Sequence, residues 1–561
     1  MGSYLLGVFL KCYIVRLKSV RLALAWEDGT RASPSCVESE SRGGIVSEKT
    51  IPINRRDFIA SAAALTAASA WPVLGQMPSP IHGFPPSILR GDDYIETNPI
   101  EEYHNAPSSA YEAFQDMKFG IRIHWGIYSI WHRGPESWPF LPMSFEDRQT
   151  YNNLYKTWNP AGFDANAWME DFRESGLKMF AFTSKHHEGF SMFDTKTRVR
   201  SRANWTAPGG PRIESCDLAY SIMETPFRRD IIKELSDAAH KRDIKIDFYF
   251  SHPDWYDADF RPYVAHPFQI PSSTQWMTPR DAGFTRERLG DHAVIVPDPT
   301  DAEVKRMMER HRAQLLELLT NYGRIDMMCL DMWLGPRVWP ELRKTLLMMR
   351  QLQPDVMLRN RGIGNYGDYY TPERVVPGSK ETSDRPWFTI YPLGTDFSYD
   401  PDAANYKGTA WIVRNLADAT AKGGGFMIGV GPSAHGEFHP EAIRQMKGAG
   451  AWLKVNGEAI YATRAREGAL WSEGDTIRFT RSKDRRHVYA ILTEWPGTQV
   501  TLKSVRPKNG SRVTLLGANA ELKWKFDSAV GTTIKLPENW QQPANRPCDH
   551  AWTLKIEPAE G

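Results

Sequence analysis

Apolar runs alternate with amphipathic segments over most of the chain. The run 325–330 is apolar except at Asp326 and ends on Asp331, and the segment 303–320 before it carries leucines on one helical face. Continuous apolar runs are typical of strands that are buried on both faces of a parallel sheet. Similar apolar runs predict strands at 117–125, 178–183, 244–251, 356–361 and 425–430 and a short strand end at 379–383. Amphipathic segments predict helices at 164–175, 230–242, 340–353 and 406–422.

Strand and helix patterns follow one another in turn, and polar residues gather just after the strands. This order indicates the α/β class with a (β/α)8-type barrel, which we place at 106–455 as the catalytic domain. After residue 456 the pattern changes to short segments with turn residues between them, at 476–480, 487–492, 499–502, 512–516 and 532–536. We expect a C-terminal all-β sandwich at 456–561.

The first hundred residues differ from the rest of the chain. Arg55-Arg56, the Ala-rich run 60–70 and Ala68-Ser69-Ala70 resemble a twin-arginine export signal with its cleavage site, which we place at 51–76. A chance Arg-Arg before an Ala-rich helix is the alternative. We interpret residues 1–50 as a non-native or disordered extension and 77–105 as a Pro-rich linker. No run of about 18 uncharged residues occurs in the first segment, so we expect no membrane span there, and we expect a bacterial protein that is periplasmic or secreted.

The composition excludes several classes of function. Lys plus Arg is 69 against 67 for Asp plus Glu, which argues against a nucleic-acid partner. The chain has no CxxC pair, GxSxG elbow, Walker loop or strand-linked GxGxxG turn. His186-His187-Glu188 lacks an obvious third ligand, and neighbouring strand residues point to opposite faces, so we expect no metal and no cofactor. The high aromatic content, with 20 Trp, 21 Tyr and 25 Phe, is typical of enzymes that handle sugars.

Polar residues at the predicted strand ends are the candidates for chemistry, because barrel active sites lie at the carboxyl ends of the strands. Breaking a glycosidic bond with retention requires one carboxylate that attacks the anomeric carbon and a second that donates a proton. Asp331 suits the first role, although a helix-capping or salt-bridged Asp would give the same pattern. Glu373 or Glu381 suits the second. The other candidates, each of which has a structural alternative, are His124, His186, His187, Asp254 and Arg361.

Several motifs together resemble the α-L-fucosidases of glycoside hydrolase family 29. The most specific is TSKHHEGF at 183–190, and others follow in that family's order: 119–129, 226–231, 249–255, 315–331, 431–436 and 456–461. The resemblance extends from about residue 106 to the C-terminus. It implies an exo-acting retaining hydrolase that removes terminal α-L-fucosyl residues from oligosaccharides or glycoconjugates through a covalent intermediate.

The resemblance also assigns residues. It makes Asp331 the nucleophile and Glu373 the acid/base, with Glu381 as the rival for that role. The residues that it implies contact the sugar are His124, Glu136, Trp138, His186, His187, Tyr249, Arg361 and Glu381.

Three departures from the family pattern bear on the sugar. Cys329 stands where the family usually has Trp, Glu136 and Trp138 are separated by an inserted residue, and Phe250 replaces a Tyr. These changes leave two alternatives open, an exo-glycosidase for a related sugar such as an α-galactoside or β-arabinoside, and an inactive sugar-binding homologue. The sequence does not determine the linkage, the aglycone or the oligomeric state, and we expect the insertion 257–300 to shape the leaving-group side.

Overall fold

The computed structural model describes residues 35–39, 48–52, 98–131, 134–261, 263, 266–269, 297–377, 385–468, 470–518 and 520–560. In the N-terminal unit, Ser35–Ser39 pairs with Glu48–Pro52 as antiparallel strands. Most of the predicted export signal, the linker up to residue 97, the predicted strand end at 379–383 and the rival acid Glu381 lie outside the described residues. No helix in the described part of the chain is long and apolar enough to cross a membrane.

A curled parallel sheet forms the centre of the catalytic domain, which confirms the predicted fold class. Its seven strands are adjacent in the order β6-β7-β1-β2-β3-β4-β5. They are β1 Phe119–Ile123, β2 Met179–Lys185, β3 Lys245–Ser251, β4 Met327–Asp331, β5 Met357–Leu358, β6 Phe388–Pro392 and β7 Gly425–Val430. The helices of seven residues or more are α1 Ser108–Met117, α2 Phe145–Tyr151, α3 Ala165–Glu174, α4 Ile231–His240, α5 Asp301–Thr320, α6 Trp339–Leu352, α7 Thr409–Ala421 and α8 Pro440–Asn456, and a single helical turn lies at Tyr128–Trp131.

An irregular eighth segment closes the barrel between β5 and β6. Tyr369 forms a parallel bridge with Arg359 on one side, and Tyr370 and Glu373 form parallel bridges with Trp387 and Ile390 on the other. The backbone of this segment also bonds to both neighbours, because the amide of residue 369 donates to Leu358 and that of residue 388 donates to Tyr370. Glu373 therefore lies in the position of a barrel strand although its segment is not a regular one.

Several predicted boundaries change for local reasons. Met117 belongs to α1 and not to the first strand. Helix α5 begins two residues before the predicted start, because Thr300 and Glu303 form a capping box at its N-terminus. The predicted strand 356–361 is reduced to Met357–Leu358, so Arg361 lies beyond the strand. Strand β6 and helix α8 were not predicted, and β6 is a five-residue segment that ends in Pro392.

The C-terminal domain contains two antiparallel sheets around an apolar core, as expected. One sheet has the order β8-β9-β10-β15-β12 and the other β11-β14-β13. The strands are β8 Ser472–Glu473, β9 Ile477–Arg481, β10 Val488–Leu492, β11 Gln499–Leu502, β12 Arg506–Leu515, β13 Trp524–Asp527, β14 Gly531–Lys535 and β15 Trp552–Glu560. Phe479, Leu502, Leu515, Ile534 and Leu554 fill the space between the sheets. Strands β13 and β15 were not predicted.

Candidate active site

The predicted site residues converge at the carboxyl ends of the barrel strands. Asp331 is the last residue of β4, Tyr249 lies near the end of β3, and His124 follows β1 directly. His186 and His187 follow β2. Arg361 lies beyond β5, and Glu373 lies on the irregular eighth segment. Parallel strands bring these ends to one face of the barrel, although the residues are far apart in the sequence.

Asp331 is the centre of this arrangement and is 5% exposed. The Tyr249 hydroxyl donates to its Oδ2 at 2.6 Å, and Arg361 Nη1 donates to its Oδ1 at 3.0 Å. Burial alone would raise the pKa of Asp331, but the charges of Arg361 and Arg359 and the hydrogen bond from Tyr249 hold it well below its usual range. Asp331 is therefore ionised and oriented, and it ends a strand rather than capping a helix. Asp331 also forms a salt bridge with Arg361, which was the structural alternative for this residue.

Glu373 shares Arg361 with Asp331. Arg361 Nη2 donates to Glu373 Oε1 at 2.9 Å, and Arg359 Nη2 donates to the same oxygen at 3.2 Å. Burial raises the pKa of Glu373, but Arg361 and Arg359 outweigh burial and hold the pKa below its usual value. The Glu373 side chain is 38% exposed, whereas that of Asp331 is 7% exposed. The second carboxylate thus lies on the solvent side of the first and is ionised in the ligand-free protein.

The paired histidines are neutral and are oriented by two serines. His187 Nδ1 lies 2.6 Å from Ser251 Oγ, and the Ser251 hydroxyl donates to the carbonyl of Pro253 at 3.1 Å. Because that hydroxyl has one proton, Ser251 Oγ accepts from His187 Nδ1–H, and Nε2 carries the lone pair. Nε2 lies 3.9 Å from Asp331 Oδ2. His186 Nδ1 lies 2.6 Å from Ser137 Oγ and 3.6 Å from Glu188 Oε2.

Burial keeps all three site histidines uncharged. It lowers the pKa of His186 to about 3 and the pKa of His187 well below its usual range. Burial also lowers the pKa of His124, and Arg122 adds to that effect. Neutral imidazoles act as donors and acceptors for hydroxyl groups without competing with Asp331 for a counter-charge.

Glu136 and Trp138 both reach the site despite the inserted residue between them. Glu136 has a positive φ of 41°, a conformation that favours glycine, and its buried Oε1 has no protein partner. Burial raises the pKa of Glu136 to about 8, and Asp396 and Glu373 add to that effect, so its carboxyl is protonated at neutral pH. The Trp138 ring packs 4.8 Å from that of His187 and 5.5 Å from that of Trp255.

Sequence reasoning missed four further groups at the site. Arg359 contacts Glu373, and its Nη1 lies 4.0 Å from Asp331 Oδ1. Phe397 packs 5.2 Å from the His124 ring. Arg122 and Glu188 lie next to residues that were predicted. The signal for the arginines was present, since Arg122 and Arg359 each precede a predicted site residue by two positions and so share its face on an extended segment.

Trp333 packs on Trp339 of α6, with ring centroids 5.7 Å apart, and thus extends toward the helix layer. Cys329 Sγ accepts from Arg359 and Arg122, so arginines and not Trp333 surround the position where an aromatic residue was expected.

Of the insertion 257–300, residues 270–296 lie outside the described part. Among the described residues, no three His, Cys, Asp or Glu side chains are arranged to hold a metal ion.

Comparisons with known proteins agree with this geometry. The profile of the family described as Alpha-L-fucosidase matches residues 97–458, and that of the Alpha-L-fucosidase C-terminal domain matches residues 472–557. The chain is 26% identical to the human tissue alpha-L-fucosidase, over 79% of this chain and 88% of the human protein. It is also 26% identical to the Branchiostoma floridae alpha-L-fucosidase, over 79% of this chain and 92% of that protein.

Solved structures give the same result for the fold. Alpha-L-fucosidase isoenzyme 1 from Paenibacillus thiaminolyticus superposes with a TM-score of 0.63 at 26% identity, over 81% of this chain and 99% of that chain. An alpha-L-fucosidase from Bacteroides thetaiotaomicron superposes with a TM-score of 0.62 at 22% identity, over 83% of this chain and 98% of that chain. The barrel and the C-terminal sheets therefore occur together in both solved proteins.

Proposed function

Because this chain belongs to the alpha-L-fucosidase family, we propose that it hydrolyses terminal α-L-fucosyl residues with retention of configuration. The observation that carries the proposal is the pair of carboxylates, Asp331 and Glu373, that share the guanidinium of Arg361. This shared contact favours the short carboxylate separation, about 5–5.5 Å, that retaining enzymes use.

In the first step, Asp331 forms a bond to the anomeric carbon of the fucosyl residue. The bond between that carbon and the glycosidic oxygen breaks, and its electron pair stays with the leaving oxygen. Glu373, which is ionised in the empty site, first takes up a proton from solvent and then donates it to that oxygen, so the aglycone leaves as a neutral alcohol. Arg361 and the Tyr249 hydroxyl orient Asp331 for attack, because each donates to a different oxygen of the carboxylate.

In the second step, water replaces Asp331 at the anomeric carbon. The ionised Glu373 accepts a proton from the water, the oxygen of the water bonds to the carbon, and the ester bond to Asp331 breaks. Asp331 recovers its charge and Glu373 recovers its proton. Two displacements on opposite faces give net retention. The solvent exposure of Glu373 supports its role, since the carboxyl exchanges protons with water when the site is empty.

Binding of the sugar rests on neutral groups. His124, His186 and His187 supply nitrogen donors and acceptors for the ring hydroxyls, and the protonated Glu136 supplies a hydroxyl donor. Trp138 offers an aromatic edge at His187. We further propose exo-action on terminal fucosyl residues of oligosaccharides or glycoconjugates, as the family resemblance implies.

The test of this function has two parts. The protein is assayed on 4-nitrophenyl α-L-fucoside beside the α-galactoside and β-arabinoside, and the anomer first released is identified by NMR. It is then treated with 2-deoxy-2-fluoro-α-L-fucosyl fluoride and digested. We expect release of the α-anomer of fucose and one added fluorofucosyl group on the peptide that contains Asp331. Tight binding of fucose with no turnover of any glycoside would instead identify an inactive sugar-binding protein.

We also propose that the protein is exported. The support is the Arg55-Arg56 pair followed by the Ala-rich run and Ala68-Ser69-Ala70. Expression of the full chain in a bacterium, with and without Arg55→Lys and Arg56→Lys, measures this directly. We expect a mature N-terminus near residue 71 in the periplasmic fraction of the unaltered chain and uncleaved protein in the cytoplasm for the double variant. Equal export of both chains would contradict the proposal.

A further inference from the structure

A polar layer lies immediately below the groups that surround the anomeric carbon. Arg122 precedes His124 by two residues, and Cys329 precedes Asp331 by two residues, so both side chains share the inward face of their strands. Arg359 Nη1 donates to Cys329 Sγ at 2.8 Å, and Arg122 Nη2 donates to the same sulfur at 3.3 Å. Two buried guanidinium groups therefore lie where most barrels have branched apolar side chains.

Arg122 is not fully satisfied by the protein. It is 3% exposed, and its Nη1 has no protein partner. Other buried polar atoms of the same site also lack a protein partner, among them His124 Nδ1, Glu136 Oε1 and both carboxylate oxygens of Glu188. A buried polar group without a partner costs about 1–3 kcal/mol, so a cluster of such atoms at the ends of the barrel strands favours a polar ligand that completes some of them.

The position of Arg122 relates it to one part of the sugar. Its guanidinium lies 4.7 Å from the centroid of the Tyr249 ring, and the hydroxyl of Tyr249 contacts Asp331. Arg122 therefore lies beside the nucleophile and beneath it. The ring carbons nearest the anomeric carbon are C2 and, across the ring oxygen, C5. The neutral histidines and Glu136 already supply enough donors and acceptors for the three free hydroxyls of a fucosyl residue.

α-L-Fucose has a methyl group on C5, whereas α-L-galactose has the same stereochemistry with a hydroxymethyl group there. A methyl group pressed against a buried guanidinium leaves the N–H groups unpaired, but a hydroxymethyl oxygen accepts a hydrogen bond from them. Sites with a buried hydrogen-bonding group discriminate strongly against the analogue that lacks the matching oxygen.

We propose that Arg122 is a specificity-determining residue that donates from Nη1 to an oxygen on the C5 substituent, and that the enzyme accepts α-L-galactosides at least as well as α-L-fucosides. This inference rests on the proposed hydrolase function. It adds a group to the sugar pocket and changes the class of terminal sugar that the pocket fits best.

Three substrates that differ only at C5 test the proposal. They are the 4-nitrophenyl α-L-galactoside, α-L-fucoside and β-D-arabinopyranoside, which have hydroxymethyl, methyl and hydrogen at that position. For the unaltered enzyme we expect a kcat/KM for the galactoside equal to or greater than that for the fucoside. Free L-galactose should compete with either substrate at least as well as L-fucose does, a comparison that needs no variant.

The variants separate recognition from stability. Arg122→Met should reduce the galactoside-to-fucoside ratio of kcat/KM by at least about 10-fold, because only the galactoside loses a hydrogen bond. The fucoside-to-arabinoside ratio should stay the same. Cys329→Ser keeps an acceptor for Nη2 and leaves Nη1 in place, so it should retain the galactoside preference.

Each outcome decides between explanations. If Arg122→Met lowers kcat/KM for all three substrates by the same factor, Arg122 has a structural role in the barrel and does not recognise the substituent on C5. If the unaltered enzyme prefers the fucoside by more than about 100-fold and L-galactose fails to compete, the inference is wrong even if Arg122→Met does not fold. If none of the three substrates is hydrolysed, the proposed function fails and not this inference alone.

Discussion

The carboxyl ends of the barrel strands and the interior of the sandwich are equally buried but are built from opposite kinds of side chain. Asp331, Arg359 and His187 are at most 5% exposed, as are Leu502 and Leu554 between the two C-terminal sheets. Burying a charge costs free energy unless it is paired, whereas burying a leucine gains it. The comparison indicates that the apolar sandwich interior increases the free energy of unfolding. At the strand ends of the barrel, the buried charges are tolerated only because they are paired, and they are retained for chemistry.

The two regions are linked by polar contacts. Trp452 Nε1 of α8 donates to the carbonyl of Ala551 at 2.8 Å. Arg478 of β9 donates to Asp418 of α7 at 2.7 Å. The sandwich therefore packs on helices at the outside of the barrel. Substitutions in the two regions should have separable effects, and the following experiments test that separation.

The largest effect is expected for Asp331→Asn. Loss of the nucleophile should reduce kcat by at least about 10⁴-fold, as for other residues that form a covalent intermediate. Unfolding in urea should show a loss of stability as well, because the variant leaves the buried Arg359 and Arg361 without the charge of Asp331, so kcat is measured on the folded fraction. Asp527→Asn in the β13–β14 turn is the matched control and should retain full activity. For Asp331→Gly, added azide should give a glycosyl azide of inverted configuration, and a product of retained configuration would contradict the role of Asp331.

A smaller but selective effect is expected for Glu373→Ala. General acid catalysis contributes about 10²–10⁴-fold when the leaving group needs a proton. Natural fucosyl linkages should therefore slow by that factor, whereas 4-nitrophenyl or 2,4-dinitrophenyl fucosides should slow far less in their first step. Rates for a series of leaving groups, plotted against the pKa of each phenol, measure this. Equal slowing across the series would exclude Glu373 as the acid and make Glu381 the next residue to test.

The opposite behaviour is expected in the sandwich core. Leu554→Ala removes a fully buried side chain and should reduce the free energy of unfolding by about 2–5 kcal/mol. The kcat of the folded fraction should not change. Urea denaturation followed by tryptophan fluorescence, together with an assay at low temperature, separates the two quantities. A large fall in kcat of the folded protein would show that the sandwich affects the chemistry.

A stabilising substitution should exist at Glu188, which follows His187 directly in the chain. Burial raises the pKa of Glu188 to about 8 from its usual value near 4.5. The folded state thus binds more protons than the unfolded state between these values, and Glu188 makes the stability fall as pH rises through that range. Glu188→Gln should raise the melting temperature by on the order of a few degrees at pH 8.5 and leave it unchanged near pH 4. The exposed Glu521→Gln is the control, and an equal rise at both pH values would contradict the assigned cause.

The smallest effect is expected for Arg464→Ala. Arg464 pairs with Asp116 and Glu112 of α1, and these partners are partly exposed. Such pairs contribute about 0–1 kcal/mol and are screened by salt. The variant should lose that much stability at low ionic strength and almost none in 1 M NaCl. A loss of several kcal/mol at either salt concentration would show that the contact between α1 and the segment around Arg464 depends on this arginine.

The sequence predicts regular and local features well. Apolar runs located β2, β3, β4 and β7, and the family motifs located Asp331 and the paired histidines. It did not predict β6 or the closure of the barrel by the segment that carries Glu373, because that segment has no regular strand pattern. It also missed Arg122 and Arg359, since a pattern rule that places apolar residues inside a barrel assigns no role to an arginine there.

The assignments of individual site residues remain predictions that the geometry supports to different degrees. Asp331 has the contacts and the low pKa of a nucleophile. Glu373 lies close to Asp331, as an acid/base must, but its pKa is lowered and it is a carboxylate in the empty site. No sequence motif predicts this protonation state, because it depends on Arg359 and Arg361 from another segment. Long-range electrostatics of this kind is determined by three-dimensional proximity and not by spacing along the chain.

The single guanidinium between the two carboxylates makes the proton on one depend on the charge of the other. The negative charge of Asp331 raises the pKa of Glu373. While Asp331 is ionised, that repulsion opposes the two arginines only in part, so the pKa of Glu373 stays below its usual value and the first displacement requires Glu373 to take up a proton. Once Asp331 is esterified the repulsion is gone, Arg361 retains one anionic neighbour, and the pKa of Glu373 falls toward the base form that the second displacement needs. Formation of the ester therefore favours the protonation state that the second displacement requires, without any movement of the chain.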